Sequence, residues 1–191
     1  MKDKKEKTKW ALIVFIIFIM IGTSVSFVLF DFQPQNDVIK YNGIRFVKYT
    51  DRWEATINGN AAAFSFLPNE VENVIVSGDS VKRLQDKYEI DFTYDLNSTY
   101  KEPIALAQHQ MGLTLAAYNI YLRKGFTGNN TYEIPVISCK DSTENVPVVY
   151  FAYGNETSIH LEGDCIIAQG KENSDFIRLK DRILYGILKV I

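Results

Sequence analysis

The sequence is poor in the residues that most often carry chemistry, with only two cysteines and two histidines among 191 residues. Cys139 and Cys165 are too far apart in the chain to form the C-x-x-C motif of a dithiol redox site. The G-x-S-x-G motif of α/β-hydrolases is missing as well, and the glycine-containing segment 125–128 is too short for a phosphate loop. These absences exclude the best-marked enzyme classes.

Clustered positive charge is also missing outside the N-terminus. The whole chain carries a net charge of −2 and its first nine residues carry +3, so the remainder carries −5. Proteins that bind nucleic acid need clustered lysine and arginine to neutralise phosphates. The charge balance therefore excludes nucleic acid as the expected partner.

The longest apolar run is Trp10–Phe30, which has twenty-one residues and no charged side chain. As an α-helix it would be about 31 Å long, close to the roughly 30 Å hydrocarbon thickness of a bilayer. It predicts a single transmembrane helix in contact with the lipid bilayer. A cleaved signal peptide is the alternative, but its apolar region would span only about 7–15 residues and end at a small-x-small site.

The charges beside this run predict its orientation. Five lysines precede it, whereas the segment that follows it is acidic. Lysine-rich flanks stay in the cytoplasm, so the C-terminal part is predicted to be extracytoplasmic, on a cell membrane that the chain crosses once. The predicted organisation is a cytoplasmic basic tail at 1–9, a transmembrane helix at 10–30, a linker at 31–40 and one extracytoplasmic domain at 41–191.

The first part of the predicted domain alternates between short β-type runs and turn signals. Asn-Gly and Thr-Asp pairs separate the runs, which indicates an antiparallel meander of three strands at about 44–50, 52–58 and 61–67. The segment that begins at Pro68 is compatible with either a helical turn or an extended stretch. Ser80–Lys87 is predicted to form a short exposed helix capped by Ser80.

The middle of the domain has the order strand, long helix, strand. The strand at 89–97, the helix at Pro103–Lys124 and the strand at Tyr132–Cys139 indicate a right-handed parallel crossover. Val146–Tyr153 is apolar on both faces and predicts a central strand. With Ser158–Gln169, the last strands are expected to continue in antiparallel order.

The chain closes with an amphipathic helix that begins at Ser174 and is expected to lie on the sheet. Its helical periodicity places Asp181 and Tyr185 on the polar side. Taken with the preceding elements, this helix predicts an α+β (mixed α/β) fold behind the N-terminal transmembrane helix.

Two carboxylates, Asp91 and Asp95, flank the strand that precedes the long helix. Acidic residues near strand ends serve as catalytic or metal-binding groups in α/β folds. More often they end strands and cap turns, and the sequence after Asp95 is typical of a turn. These residues support an alternative function as an extracytoplasmic hydrolase that uses carboxylates.

Three residues of metal-binding type, His160, Glu162 and Asp164, alternate along one predicted strand. Alternate residues on a strand are about 6.8 Å apart, whereas ligands bound at about 2 Å must converge more closely. A solvated polar face is therefore predicted instead of a metal site. His109 lies on the long helix without a recognisable nucleophile, so it is predicted to be a structural or surface residue. No cofactor is predicted, and the catalytic residues stay unknown.

Cys139 and Cys165 both follow the predicted anchor, where an even number of cysteines usually means pairing. A disulfide between them is predicted, and two unpaired thiols are the alternative. Cys165 is expected on an inward strand face together with Ile159, Leu161 and Ile167.

Three N-x-S/T sequons are present, at Asn97, Asn129 and Asn155. All three fall in predicted loops of the outer domain. They are predicted acceptors of N-linked glycan, provided that the host modifies its surface proteins.

Several stretches resemble uncharacterised single-pass membrane proteins of archaea. They are YNGIRFVKYTDRWEATI, FSFLPNEVENV, EIDFTYDLNSTYKEPIALAQ, PVISCKDSTENVPVVYF, GDCIIAQG and DRILYGIL. The resemblance is one of pattern and covers most of the chain: an anchor, a β meander, a crossover, two cysteines and a closing helix. It implies a membrane-anchored extracytoplasmic α+β domain and supplies no catalytic residue.

The leading hypothesis is a binding or envelope-assembly module held at the membrane by Trp10–Phe30, whose partner is another envelope protein or glycan. The hydrolase is one alternative, and a thiol-redox protein that uses its two cysteines is another. A deep pocket that gathers Asp91, Asp95 and a histidine would favour the enzyme. A large exposed apolar patch would favour binding.

Overall fold

The computed structural model describes Trp10, residues 13–21 and residues 37–191, and the chain divides into a first unit, Met1–Asn36, and a second, Asp37–Ile191. In the first unit the described residues are helical, and the apolar side chains of 13–21 are 46–78% exposed. None of the described helices has the length and apolar character needed to cross a bilayer.

Much of the predicted N-terminal organisation lies outside the described residues. This applies to the basic tail at 1–9, to positions 11–12 and 22–30 of the predicted transmembrane helix, and to positions 31–36 of the linker. The membrane span, its orientation and the linker therefore stay predictions.

The second unit begins with a four-stranded antiparallel sheet in the order β1-β2-β3-β4. Its strands are β1 (Val38–Tyr41), β2 (Ile44–Lys48), β3 (Trp53–Ile57) and β4 (Asn60–Phe64). The two outer hairpins turn through Asn42-Gly43 and Asn58-Gly59, all four with positive φ, the conformation that Asn-Gly adopts most readily. The predicted meander is confirmed, but residues 38–40, assigned to the linker, form most of an additional first strand.

The second sheet is mixed and has the order β5-β9-β10-β8-β6-β7. Its strands are β5 (Ile75–Val76), β6 (Glu89–Tyr94), β7 (Tyr121–Phe126), β8 (Val148–Tyr153), β9 (Ser158–Glu162) and β10 (Cys165–Gly170). The predicted central position of β8 is confirmed. The expected antiparallel continuation is only partly right, because β9 is antiparallel to β10 whereas β10 is parallel to β8.

The helices are α1 (Pro68–Val71), α2 (Lys101–Ala116) and α3 (Asn173–Ile187), with 3₁₀ turns at Lys82–Leu84 and Cys139–Asp141. The main cluster of buried apolar side chains joins both sheets to α2 and α3. It includes Phe46, Phe64, Phe92, Met111, Phe151, Phe176 and Leu184, each at most 1% exposed. The fold is therefore mixed α+β, with an antiparallel sheet, a mixed sheet and a C-terminal helix.

The long helix was predicted to continue to Lys124, but α2 ends at Ala116. Asn119 then takes a φ of +57°, a left-handed conformation that asparagine tolerates and a continuing helix does not. The residues after it form β7, which pairs in parallel with β6. The parallel crossover is thus confirmed, with its second strand earlier in the chain than predicted.

Two further predictions of local structure are wrong. Residues 132–139 do not form a strand and make only an isolated bridge at Val136, since Pro135 has no N–H to donate to a ladder. The segment 80–87 is not an exposed helix: Ser80 and Leu84 are fully buried, and only one 3₁₀ turn forms between them.

The closing helix α3 is confirmed, but its cap and its buried face differ from the prediction. It begins after Glu172 and not at Ser174, and the carboxylate of Asp175 accepts hydrogen bonds from the backbone N–H groups of Lys171 and Glu172. Asp181 and Tyr185 are fully buried, against the polar-face prediction. The Tyr185 ring stacks on Phe64 with centroids 4.1 Å apart, which joins the helix to the antiparallel sheet.

Candidate functional site

Asp91, the first candidate carboxylate, is paired with an arginine of the neighbouring strand. Its side chain is completely buried, and its two oxygens accept hydrogen bonds from Arg123 Nε at 2.8 Å and Nη2 at 2.5 Å. This bond to Asp91 is the main factor that raises the pKa of Arg123. The bidentate geometry engages both carboxylate oxygens and the side chain is completely buried, so Asp91 has a structural partner in Arg123.

Asp95 lies beyond the end of β6 and is exposed. Its Oδ1 accepts the backbone N–H of Asn97 at 2.9 Å, which is the turn that the sequence predicts here. Asp91 and Asp95 are four residues apart on an extended chain, or about 13 Å. Glycosidase carboxylates act at about 5–9.5 Å from each other, so the structure does not bring this pair together as a catalytic couple.

The remaining candidate residues are spread over separate elements. His160 is half-buried on β9, with its Nε2 3.5 Å from Glu162 Oε1, whereas Asp164 lies in the β9–β10 turn and pairs with Arg83 at 2.9 Å. The three therefore do not share one strand face. Within the described part of the chain, no group of three or more His, Cys, Asp or Glu side chains is arranged to hold a metal ion.

Cys139 and Cys165 form the predicted disulfide, with their Cα atoms 5.1 Å apart. Cys139 begins a 3₁₀ turn and does not end a strand, whereas Cys165 is the first residue of β10. The face prediction for Cys165 is partly right, because Cys165 and Ile167 are buried together as expected, whereas Ile159 and Leu161 lie on the opposite face. The turn after β9 places Ile159 in the main core and Cys165 in a second cluster on the other side of the mixed sheet.

A groove lies between the β3–β4 hairpin and α2, with a volume of about 520 Å³. Thr114 Oγ1 lies 3.4 Å from the carbonyl oxygen of Ala63, so α2 sits against the edge of the antiparallel sheet. This contact covers an edge strand that would otherwise expose backbone hydrogen-bonding groups. The groove is the space left beside that contact.

The lining of the groove is mostly apolar. Leu106 and Leu113 of α2 border it and are 49% and 65% exposed, and Ala61 and Ala63 of β4 are also in the lining. His109, the other candidate histidine, is also in the lining and is exposed. None of the candidate carboxylates is near it, so the predicted catalytic set is not assembled here.

Charged groups border the groove at one side. Arg52 Nε lies 2.7 Å from Glu54 Oε1, and Arg52 Nη1 lies 3.7 Å from Asp51 Oδ1. Two carboxylates therefore accompany one guanidinium, and this rim has a net charge of −1. The rim is polar and partly exposed, as at the margins of protein–protein interfaces.

Beneath the groove lies a buried ionic network that the sequence analysis missed. Lys180 Nζ lies 2.5 Å from Asp181 Oδ1 and 3.3 Å from Ser65 Oγ, and the side chains of the pair are 2% and 0% exposed. Asp181 Oδ2 accepts the backbone N–H groups of Ser65 and Phe66, both at 2.8 Å. Burial raises the pKa of Asp181 against the opposing effects of Lys180 and these N–H groups. The network fixes α3 to the end of β4, next to the groove.

The sequence contained a signal for the strand that carries Arg123, but this segment was assigned to the end of the long helix. Tyr121 and Leu122 favour strands, and in the parallel register Arg123 lies directly beside Asp91. The groove itself had no sequence signal, because its two sides are more than forty residues apart in the chain.

Comparison of the chain with protein-family models, with curated proteins and with solved structures found no match.

Proposed function

We propose that the protein is a membrane-anchored extracytoplasmic binding module whose groove between β3–β4 and α2 receives an apolar segment of a partner protein. The observation that carries this proposal is the pair of exposed leucines on a helix whose opposite face is buried in the core. Leu106 and Leu113 are seven residues apart, so they project from the same side of α2. Buried contacts on the other side of α2 hold them in place.

The chemistry of the groove favours a protein partner over a glycan. Methyl and leucine side chains provide apolar contact area, whereas sugars are bound through hydrogen-bonding groups and aromatic rings. The rim formed by Asp51, Arg52 and Glu54 has a net negative charge. This negative charge is complementary to a lysine or arginine of the partner that flanks the apolar side chain bound in the groove.

The attachment to the membrane rests on the length and apolar character of Trp10–Phe30. The exposed apolar side chains of its described helical residues support the same proposal, because lipid would cover them. The hydrolase alternative loses its geometric support, because Asp91 is buried in an ion pair with Arg123.

Photo-crosslinking in native membranes tests the groove. A photoreactive residue at position 113 of the full-length chain is expected to capture a discrete partner, and Leu106→Asp is expected to reduce the yield at least tenfold. Burial of one leucine contributes about 1.5–3 kcal/mol, and 1.4 kcal/mol corresponds to a factor of ten. Tyr88→Asp changes a side chain that is 86% exposed on another surface, so it should leave the yield unchanged.

A crosslinking yield that is equal in wild type and Leu106→Asp would contradict the groove as the binding site.

Membrane orientation is tested separately, by protease added to intact cells. The domain at 41–191 should be digested while the N-terminal tail stays protected. A domain that is cut only after lysis would contradict the extracytoplasmic location.

A further inference from the structure

The three sequon asparagines occupy equivalent positions in the mixed sheet. Asn97 follows the last residue of β6 by three positions, Asn129 follows that of β7 by three, and Asn155 follows that of β8 by two. The sequence predicted only that all three lie in loops. The structure shows in addition that each loop begins at the carboxyl end of a strand.

These three strands are parallel neighbours. β6 pairs in parallel with β8 on one side and with β7 on the other. Their carboxyl ends therefore lie at one edge of the sheet, spread over about 10 Å because neighbouring strands are about 4.8 Å apart. All three acceptor loops consequently leave the domain from the same edge, here called the sequon edge.

The side-chain amides of these asparagines are free to react. Asn97, Asn129 and Asn155 are all exposed, and none makes a side-chain hydrogen bond within the described part of the chain. A neighbouring asparagine outside the sequons has a structural role instead. Asn130, beside Asn129 but outside any sequon, donates to the carbonyl of Ile134 at 2.8 Å and accepts two backbone N–H groups.

We propose that the sequon edge carries N-linked glycan at Asn97, Asn129 and Asn155. The donor is a lipid-linked oligosaccharide. The asparagine amide nitrogen forms a bond to the anomeric carbon of the sugar and loses one proton, and the bond from that carbon to the lipid phosphate oxygen breaks. This inference rests on the proposed extracytoplasmic location, because the transfer takes place on that side of the membrane.

Glycan at this edge would cover a second cavity and restrict where partners bind. A cavity of about 430 Å³ at the carboxyl ends of β6 and β8 is lined by Asp95, Tyr100, Tyr150 and Tyr153. The rings of Tyr100 and Tyr153 are stacked with centroids 5.4 Å apart, and Tyr153 is 61% exposed. Sugar on Asn155, two residues away, shields this aromatic surface and leaves the groove beside α2 as the open contact surface.

Glycopeptide mass spectrometry of the protein purified from its own membranes tests the modification. We expect glycan masses on at least two of the three sequon peptides and none on Asn130. Thr99→Ala, Thr131→Ala and Thr157→Ala should each remove one glycan without altering an asparagine. Modification at one site or none would overturn the proposal.

Shielding is tested by tyrosine nitration of the wild type and of Thr157→Ala. Nitration of Tyr153 should increase at least threefold when the glycan on Asn155 is absent. Tyr121 is the matched control, since it is 64% exposed and begins β7 at the opposite edge, so its nitration should not change. Equal nitration of Tyr153 in both proteins would refute the shielding.

The protease assay on intact cells separates the two levels of the proposal. A domain that is digested outside the cell but carries no glycan would overturn the glycan inference and leave the binding module in place. A domain that is protected in intact cells and unmodified would overturn both.

Discussion

Replacement of Asp181 by alanine would leave the Lys180 ammonium buried without an anion. Lys180 is 2% exposed and therefore has almost no access to water, and its other contact is the neutral Ser65 hydroxyl at 3.3 Å. Removal of one partner of a buried ion pair costs about 3–5 kcal/mol. The backbone N–H groups of Ser65 and Phe66 also lose their acceptor, at about 1–3 kcal/mol each if water does not replace it. Because these costs overlap, we expect a total loss of about 4 kcal/mol, a large share of the roughly 5–15 kcal/mol stability of a domain.

Two companion variants separate the charge from the hydrogen bonds. Asp181→Asn keeps an oxygen that accepts the two N–H groups but removes the negative charge, so it should cost less than Asp181→Ala. The double variant Lys180→Met with Asp181→Asn removes both charges and keeps the acceptor. It should recover to within about 1.5 kcal/mol of the wild type, because replacement of a buried pair by uncharged groups is often close to neutral.

Urea unfolding of the full-length protein in detergent, followed by circular dichroism, measures these differences. Asp86→Ala is the control, since Asp86 forms an ion pair with Lys189 at 2.9 Å but its side chain is 80% exposed. That exposed pair should contribute about 0–1 kcal/mol. If Asp181→Ala cost no more than Asp86→Ala, the reasoning from burial would be refuted.

The pH dependence gives an independent check on Asp181. Its folded-state pKa is raised above the ordinary value of 3.8, mainly by burial. A raised pKa means that the folded state holds the proton more strongly, so the associated stability is present below pH 3.8 and is lost as the pH rises through the folded-state pKa. The stability of wild type relative to Asp181→Asn should therefore fall as the pH rises over that interval. A relative stability that rises instead would contradict the assigned direction.

Three further predictions concern the mixed sheet and the 3₁₀ turn at Cys139–Asp141. Arg123→Ala should destabilise the protein by about 3 kcal/mol or more, because it leaves the fully buried Asp91 carboxylate without a partner. Asp91→Ala should cost only about 1–2 kcal/mol, because the Arg123 side chain is 43% exposed and can be solvated. Urea unfolding that shows the reverse order would contradict this. Replacement of Cys139 and Cys165 by alanine should cost about 3.5 kcal/mol of stability, because the disulfide restricts the unfolded chain by closing a loop with a sequence separation of 26. An unchanged midpoint of urea unfolding would refute this prediction. Hydrogen bonds from Ser138 lower the pKa of Asp141 below its ordinary value of 3.8. The stability advantage of wild type over Asp141→Asn should therefore be present at pH 6 and decrease as the pH falls below 3.8 towards the folded-state pKa, and an advantage that grows as the pH falls would contradict this.

Local patterns predicted the elements whose structure depends on neighbouring residues. The Asn-Gly pairs fixed the hairpins, and continuous apolar character identified β8 as a central strand. The boundary of α2 was missed because its apolar periodicity continues past Ala116, and one left-handed residue, Asn119, outweighs that periodicity. The strand predicted at 132–139 failed because β-type composition does not supply a ladder where Pro135 lacks an N–H.

The roles of individual carboxylates were less predictable, since each depends on a partner distant in the chain. From the sequence, Asp91 resembled a catalytic group because it lies near a strand end. In the structure, β7 brings Arg123, thirty-two residues later in the chain, beside it. Asp181 resembled a solvent-facing residue of an amphipathic helix, because helical periodicity cannot show that the end of β4, 116 residues earlier, covers that side. Both carboxylates are therefore explained by tertiary pairing, which accounts for their burial without catalysis. The exposed leucines of α2 have no such partner within the described chain, and for that reason the groove is the surface where a separate molecule is expected to bind.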